Sequence, residues 1–186
     1  MNKKILVIEG SNRPCSYTND ICRSCVNELE NAEIEVFNAY KTHFHFCNGC
    51  NYCEDNGKCV HNDLVGFWKS FENADLIIFS SPVYNGGFSS PIKALIDRFQ
   101  FCYTSFYKNG KVQAIKKHRK ALLVAAAGRS GVEALGYMEK QLKCAFTILN
   151  MELVGSVLCS DTDTDPDIEK AKSELTSLLK RSLNNE

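Results

Sequence analysis

The 186 residues suffice for one domain with a substantial core: 44% are hydrophobic, and 22 basic side chains balance 22 acidic ones. A neutral balance provides no overall field toward nucleic acid or an anionic membrane, so small molecules or other proteins are the expected partners. Ten cysteines, four of them crowded into thirteen residues, point to metal or redox chemistry rather than a secreted disulfide framework. The apolar run near the N-terminus, Ile5 to Ile8, is too short for a signal peptide, and no later stretch reaches the roughly 18 apolar residues that span a bilayer. A cytoplasmic protein is expected.

In chain order, Lys4 to Glu9 is an aliphatic run ending at Gly10-Ser11-Asn12 and reads as a buried parallel strand. Ile21, Cys22, Cys25, Val26 and Leu29 follow at helical spacing, with Thr18 or Asn19 placed to cap. Ile34 to Asn38 alternates as a second strand, and the pattern then dissolves into a Cys-rich loop from His43 to His61. Asp63 to Phe71 reads as helix and Asp75 to Ser80 as strand, ending in the breaker-rich Pro82-Val83-Tyr84-Asn85-Gly86-Gly87. A helix over Pro91 to Phe99, a strand over Lys120 to Ala126, the loop Ala127-Gly128-Arg129-Ser130-Gly131 and a helix to Leu149 repeat the unit. Glu152 to Leu158 is the fifth strand and Pro166 to Arg181 the last helix. Strands alternating with helices imply an α/β protein with a parallel sheet, whose ligand sits on the loops at the carboxyl ends of the strands. One domain, 1–186, with a Cys-rich insertion at about 43–61, is expected.

The loop after the first strand, Gly10 to Thr18, offers hydroxyls, an arginine and the unpaired N–H groups of a helix start, which together suit an anion. It is neither Gly-x-x-x-x-Gly-Lys-Ser/Thr nor Gly-x-Gly-x-x-Gly, so ATP hydrolysis and direct dinucleotide binding lose support; an ordinary polar turn remains the plain alternative. In the cysteine loop, Cys47-x2-Cys50-x2-Cys53-x5-Cys59 surrounds a compact object with turn residues between the thiols. That spacing suits an iron-sulfur cluster better than zinc, whose two Cys-x2-Cys knuckles are usually a dozen or more residues apart. A loop without metal stays open as a third reading.

Gly10-Ser11-x-Arg13 through Thr18 resembles the phosphate loop of the NAD(P)H-dependent FMN reductase and iron-sulfur flavoprotein families, with Ser16-Tyr17 standing where those families usually have Gly-Asn. Ser81 to Gly86, followed by Ile92-Lys93-Ala94-Leu95-Ile96-Asp97-Arg98, resembles their isoalloxazine loop and the helix after it, and Ala126 to Gly131 resembles the loop after the fourth strand. The resemblance implies a flavodoxin-like fold with strand order 2-1-3-4-5 and helices on both faces. It further implies FMN held by Ser11, Arg13, Ser16, Tyr17, Thr18, Pro82, Val83, Tyr84, Asn85, Gly86, Ala127 and Gly128. Cys47, Cys50, Cys53 and Cys59 would hold a 4Fe-4S cluster that passes electrons to FMN, often across a dimer interface. NAD(P)H or a redox protein would be the donor, in a homodimer or homotetramer, and no acid–base side chain would be needed. The alternatives are an NAD(P)H-dependent FMN or quinone reductase without a cluster, and a non-enzymatic electron carrier or zinc-stabilised module.

Other motifs read more plainly. Cys22 and Cys25 fall on the apolar face of the first helix, as core rather than as a redox pair. Cys15 is given no catalytic role, and His43, His45 and His61 flank the cysteine loop without an assignment. Asp161, Asp163, Asp165 and Asp167 alternate like a calcium loop but lack its glycine, so a capped helix entrance is expected. Lys116 to Lys120 is a solvated approach to a strand, with docking of an acidic electron donor or a nicotinamide phosphate the alternative, and Phe101, Tyr103, Phe106 and Tyr107 are a core or oligomer patch, with flavin coverage the alternative.

Overall fold

The structure, a computed structural model, describes residues 2–108, 110 and 115–184. Five parallel strands form one sheet: β1 (Lys3–Glu9), β2 (Ala32–Asn38), β3 (Leu76–Pro82), β4 (Arg119–Ala126) and β5 (Met151–Cys159), in the order β2-β1-β3-β4-β5. This is the flavodoxin-like arrangement. The centre of the sheet is buried on both faces because alternate side chains of each apolar run feed two separate cores. Ile5, Val7, Ile78, Leu122 and Val124 pack against α1 (Tyr17–Asn27) and α7 (Ile168–Leu183). Leu6, Ile8, Ile77, Phe79 and Leu123 face α3 (Val65–Asn73), α4 (Ser90–Asp97), α5 (Gln100–Lys108) and α6 (Val132–Leu149).

Several boundaries differ from the sequence reading. Ser16 caps α1, its hydroxyl accepting from Asn19 N–H at 3.4 Å, whereas Thr18 and Asn19 lie inside the helix. Two helices lacked a periodic signal. One is α2 (Tyr52–Asn56), a five-residue turn inside the cysteine loop with no buried side chain. The other is α5, where Phe101 and Phe106 pack on the core while Tyr103 and Tyr107 stay exposed, their ring centroids 4.5 Å apart. The aromatic group read as one patch is therefore split between interior and surface.

The basic approach to β4 is engaged rather than merely solvated. Lys117 pairs with Asp75 at 2.7 Å, and Arg119 is buried, donating to the Phe71 and Leu149 carbonyls at the ends of α3 and α6. Burial pushes Arg119 down to about 10, and its guanidinium lies 4.8 Å over the Phe71 ring. Cys22 and Cys25 are core residues as expected, and burial raises Cys22 to about 12, which removes it from thiolate chemistry near neutrality. Among the described residues, no helix is long and apolar enough to cross a membrane.

Candidate functional site

Three loops meet above the carboxyl ends of β1, β3 and β4. The first leaves β1 through Gly10, whose N–H donates to Ser80 O at 2.7 Å and whose carbonyl accepts from Ser89 Oγ at 2.7 Å. A Cβ at Gly10 would lie 2.4 Å from Ile92 Cγ1 and 2.8 Å from Ser80 O, so only glycine lets this loop rest on β3 and α4. Ser11 O is fixed by Asn19 Nδ2 at 3.3 Å and Asn38 Nδ2 at 3.4 Å. Its hydroxyl accepts from Arg13 N–H at 3.3 Å, and the hydroxyls of Ser16 and Thr18 pair at 3.2 Å. The first rung of α1 is Asp20 N–H to Ser16 O at 2.8 Å; the N–H groups of Tyr17 and Thr18 precede it and have no carbonyl in the helix ladder. Hydroxyls, free amides and the positive end of a helix dipole thus converge beside Arg13.

The second loop is a tight hairpin. Tyr84 and Gly87 exchange both backbone hydrogen bonds at 3.0 Å, and Asn85 and Gly86 carry the positive φ angles, 50° and 77°, that a two-residue turn of this kind demands. The third loop is laced to the segment after β5. Thr162 N–H donates to Ala127 O at 3.0 Å and Asp163 N–H to Gly128 O at 3.2 Å. A Cβ on Gly128 would sit 2.2 Å from Asp163 Oδ2, so the missing side chain is what admits the carboxylate.

Ser11, Arg13, Ser16, Tyr17, Thr18, Pro82, Val83, Tyr84 and Gly128 line one cavity of ≈ 230 Å³, together with Cys15, Ala126, Thr162 and Asp163. The Arg13 guanidinium lies 6.0 Å from the centroid of the half-exposed Tyr84 ring. Three of the sequence candidates stand outside the lining. Asn85 and Gly86 are the hairpin tip, and Ala127 spends its N–H on Cys159 O at 2.9 Å. Thr162 and Asp163 escaped the sequence reading because they reach the cavity only through the pairing of two loops far apart in the chain.

A second missed group holds the first loop from below. Glu9 is fully buried, gripped by Arg23 through Nε at 2.6 Å and Nη2 at 2.8 Å and by Asn38 Nδ2 at 3.0 Å. The hydrogen bond to Glu9 raises the Arg23 pKa against its desolvation. The available signal was a carboxylate ending an otherwise apolar strand.

The cysteine loop joins β2 to α3. Cys47, Cys50, Cys53 and Cys59 are free thiols, and all four line one small cavity of ≈ 60 Å³ with Arg98, Gln100, Phe101 and Thr104. Left-handed turns at Gly49, Asn51 and Gly57 wrap the backbone around it. The loop rests on α5 through Cys53 Sγ, 3.8 Å from Thr104 Oγ1, and through Lys108, which donates to Glu54 O and pairs with Asp55 at 3.6 Å. At its neck lies Arg98, the C-cap of α4 and only 2% exposed, with Nη1 donating to His45 O at 2.6 Å and Nη2 to His61 O at 3.2 Å. Asp63 pairs with Arg98 at 2.9 Å and accepts from His45 N–H at 2.7 Å. Burial raises the Asp63 pKa, but hydrogen bonds from the His45 backbone and ring and from Arg98 outweigh it and hold the carboxyl at about 2.

The family model for NADPH-dependent FMN reductase matches residues 3–165. The chain belongs to that family. It is 32% identical over 166 residues to an iron-sulfur flavoprotein of Methanocaldococcus jannaschii, covering 88% of this chain and 78% of the relative. An FMN-dependent NADH:quinone oxidoreductase of Hydrogenovibrio crunogenus is 27% identical over 121 residues, 60% of each chain. An NAD(P)H:quinone oxidoreductase from Methanothermobacter marburgensis superposes with TM-score 0.69 at 14% identity, over 100% of this chain and 97% of that one. An FMN-dependent NADH-azoreductase from Bacillus anthracis in complex with FMN gives 0.68 at 15% identity, over 97% and 99%. These two structures share the fold. Membership of the family makes the chain an FMN-dependent oxidoreductase.

In this FMN reductase family member the remaining motifs separate cleanly. Asp167 caps α7 by accepting from Lys170 N–H at 3.0 Å, as the capped-entrance reading expects, while Asp163 turns toward the cavity. His45 and His61 stack at 4.1 Å, and with Asp63 they bring three ligand atoms within 4.8 Å of one another. Asp63 is already committed to Arg98 and His45, which makes this triad a piece of the neck rather than an open metal site.

Proposed function

We propose that this chain is an FMN oxidoreductase of the iron-sulfur flavoprotein type, with the cavity beneath the three loops as its flavin site and the cysteine loop as its cluster site. The observation that carries this reading is that four free thiols spaced through one loop surround a single cavity, on the same chain as a helix-start anion cradle.

The residues fit FMN by their chemistry. A phosphate is an anion, and Ser11, Arg13, Ser16 and Thr18 offer donors beside the unpaired amides of α1. A flat ring system needs an aromatic neighbour, which Tyr84 provides in the same cavity lining. The Asn85-Gly86 turn fixes the height of Tyr84, and the Ser80–Asn19–Ser11 hydrogen bonds fix the phosphate loop. Asp163 closes the far wall and adds negative charge there.

The fit to a cluster rests on the donor set. Cys47, Cys50, Cys53 and Cys59 match the thiolate ligation of a 4Fe-4S centre, and a buried Nε–H of Arg98, which lines the same cavity, lacks a hydrogen-bond partner in the protein. The four thiols fall within thirteen residues of one loop, whereas a structural zinc site usually joins two Cys-x2-Cys knuckles a dozen or more residues apart. When bound, a cluster supplies one-electron exchange, and FMN accepts one or two electrons. The protein's part is to position both groups and to hold the four thiols in one loop.

The similarity to an FMN-dependent NADH:quinone oxidoreductase favours a second reading, in which NAD(P)H reduces FMN directly and the cysteine loop carries no iron. Anaerobically purified protein separates the two by its absorbance spectrum with iron, acid-labile sulfide and zinc analysis. A broad charge-transfer band with several irons per chain supports the cluster; flavin peaks without iron and sulfide overturn it.

A further inference from the structure

We infer that Arg98 is the positioning residue of the cysteine loop: it fastens the two ends of the loop to each other and presents a fixed positive charge to the four thiols. The inference deepens the cluster reading above and rests on it for the charge, while the fastening stands on geometry alone.

The fastening is visible in the hydrogen bonds. His45 and His61 lie two residues outside the first and last cysteines, and their carbonyls accept from the two terminal nitrogens of one guanidinium. A planar fork with donors in fixed directions can span two strands of a loop neck in this way; a lysine ammonium on a flexible stem cannot hold both. Asp63 locks the fork from the other side, pairing with Nη1 at 2.9 Å while also accepting from the backbone and ring of His45. The stacked rings of His45 and His61, 4.1 Å apart, close the same neck from outside. The interior of the loop has no comparable support: α2 buries nothing, and Cys47 and Cys50 are exposed.

The charge follows from where the residue sits. Arg98 brings a guanidinium to the lining of the thiol cavity, whereas Asp63 is absent from that lining. The pair therefore turns its positive side toward the thiols. Four thiolates around a cluster make an anionic assembly, and a cation in a poorly solvated position stabilises it and favours the more reduced, more negative state. Hydrogen bonding and charge beside the sulfurs are among the ways a protein sets such a potential.

The test compares wild type, Arg98→Lys and Arg98→Met as full-length protein purified anaerobically. It reads FMN content, iron retained against a chelator, the midpoint potential of the iron signal, and amide hydrogen exchange over residues 43–61 in metal-free protein. Both variants are expected to keep wild-type FMN, to lose iron about tenfold faster, and to show faster exchange confined to 43–61. The midpoint should fall in Arg98→Met and move less in Arg98→Lys, which keeps the charge but not the fork. Unchanged iron retention and exchange in both variants overturn the proposal, as does parallel loss of FMN and of protection along the whole chain, which would make Arg98 a general folding residue. If Arg98→Met does not fold, Arg98→Lys decides through its loop exchange and iron retention. A wild-type protein that holds flavin but neither iron nor sulfide removes the cluster reading and with it the charge; the exchange data then decide the fastening alone.

Discussion

The proposed phosphate loop and the proposed cluster loop face the same demand, holding backbone in shape around a ligand, and meet it by opposite means. The phosphate loop is built from below: Glu9, Asn19, Ser80, Ser81 and Ser89 are buried and hydrogen-bonded, and Ser11, Ser16 and Thr18 above them are buried too. The cysteine loop is tied at its neck by Arg98 and touches α5 along one side, but Phe46 is 68% exposed and no residue of α2 is buried. A loop supported throughout by the core has paid its ordering entropy in folding and binds its ligand without reorganising. A loop held at its neck and along one side, with nothing buried in α2, gains part of its order from the ligand, so its stability and its metal content are linked.

The contrast is broken most severely by removing ligands. Cys50→Ser with Cys53→Ser is expected to abolish iron binding while leaving FMN content near wild type, measured by metal analysis and flavin absorbance; loss of both together would mean that the two loops are not independent. Arg13→Ala and Ser11→Ala should each weaken FMN binding by roughly ten- to a hundredfold, the scale of a lost hydrogen bond to a charged group, with iron unaffected. Titration of flavin into the apoprotein reads this, and unchanged affinity sinks the anion cradle.

Smaller effects sharpen the comparison. Gly10→Ala forces Ile92 and the Ser80 carbonyl apart and should cost about 1–3 kcal/mol in denaturant unfolding, because the phosphate loop has no slack. Gly57→Ala in the cysteine loop meets no neighbour within 4 Å and should cost only the strain of its positive φ, about 1 kcal/mol. The neck carries its own pH signature. Asp63 has a folded pKa of about 2, below the ordinary carboxylate value near 3.9, so its contribution is full above pH 4 and is lost as pH falls toward 2. Exchange over 43–61 should quicken in that window in wild type, and the quickening should be weaker in Asp63→Asn.

Much of the architecture was legible beforehand because both signals involved are local. Apolar runs ending in Gly-Ser-Asn, Pro-Val-Tyr-Asn-Gly and Ala-Gly-Arg-Ser-Gly mark strands and the loops after them, and parallel strands need the helices that alternate with them. Where the reading slipped, a local hydrogen bond decided one case and packing against the core the other. Ser16 caps α1 although Thr18 offers the same chemistry, since Thr18 pairs back to Ser16 inside the first turn. The helix α5 carries aromatics at mixed depth, so its periodicity shows only once Phe101 and Phe106 have a core to enter.

The candidate site divides along the same line. Ser11, Arg13, Ser16 and Thr18 and the four cysteines stood out by residue type and spacing within single loops, which is information a sequence carries on its face. Asp163 over Gly128, Glu9 under Arg23, and Arg98 between His45 and His61 join residues on different elements, from 14 to 53 positions apart. No periodicity records such pairs, because each depends on which strands become neighbours in the sheet. By itself the sequence determined the chemistry available to each loop; the tertiary structure decided which loops share a cavity, and which buried charge stands beneath the thiols.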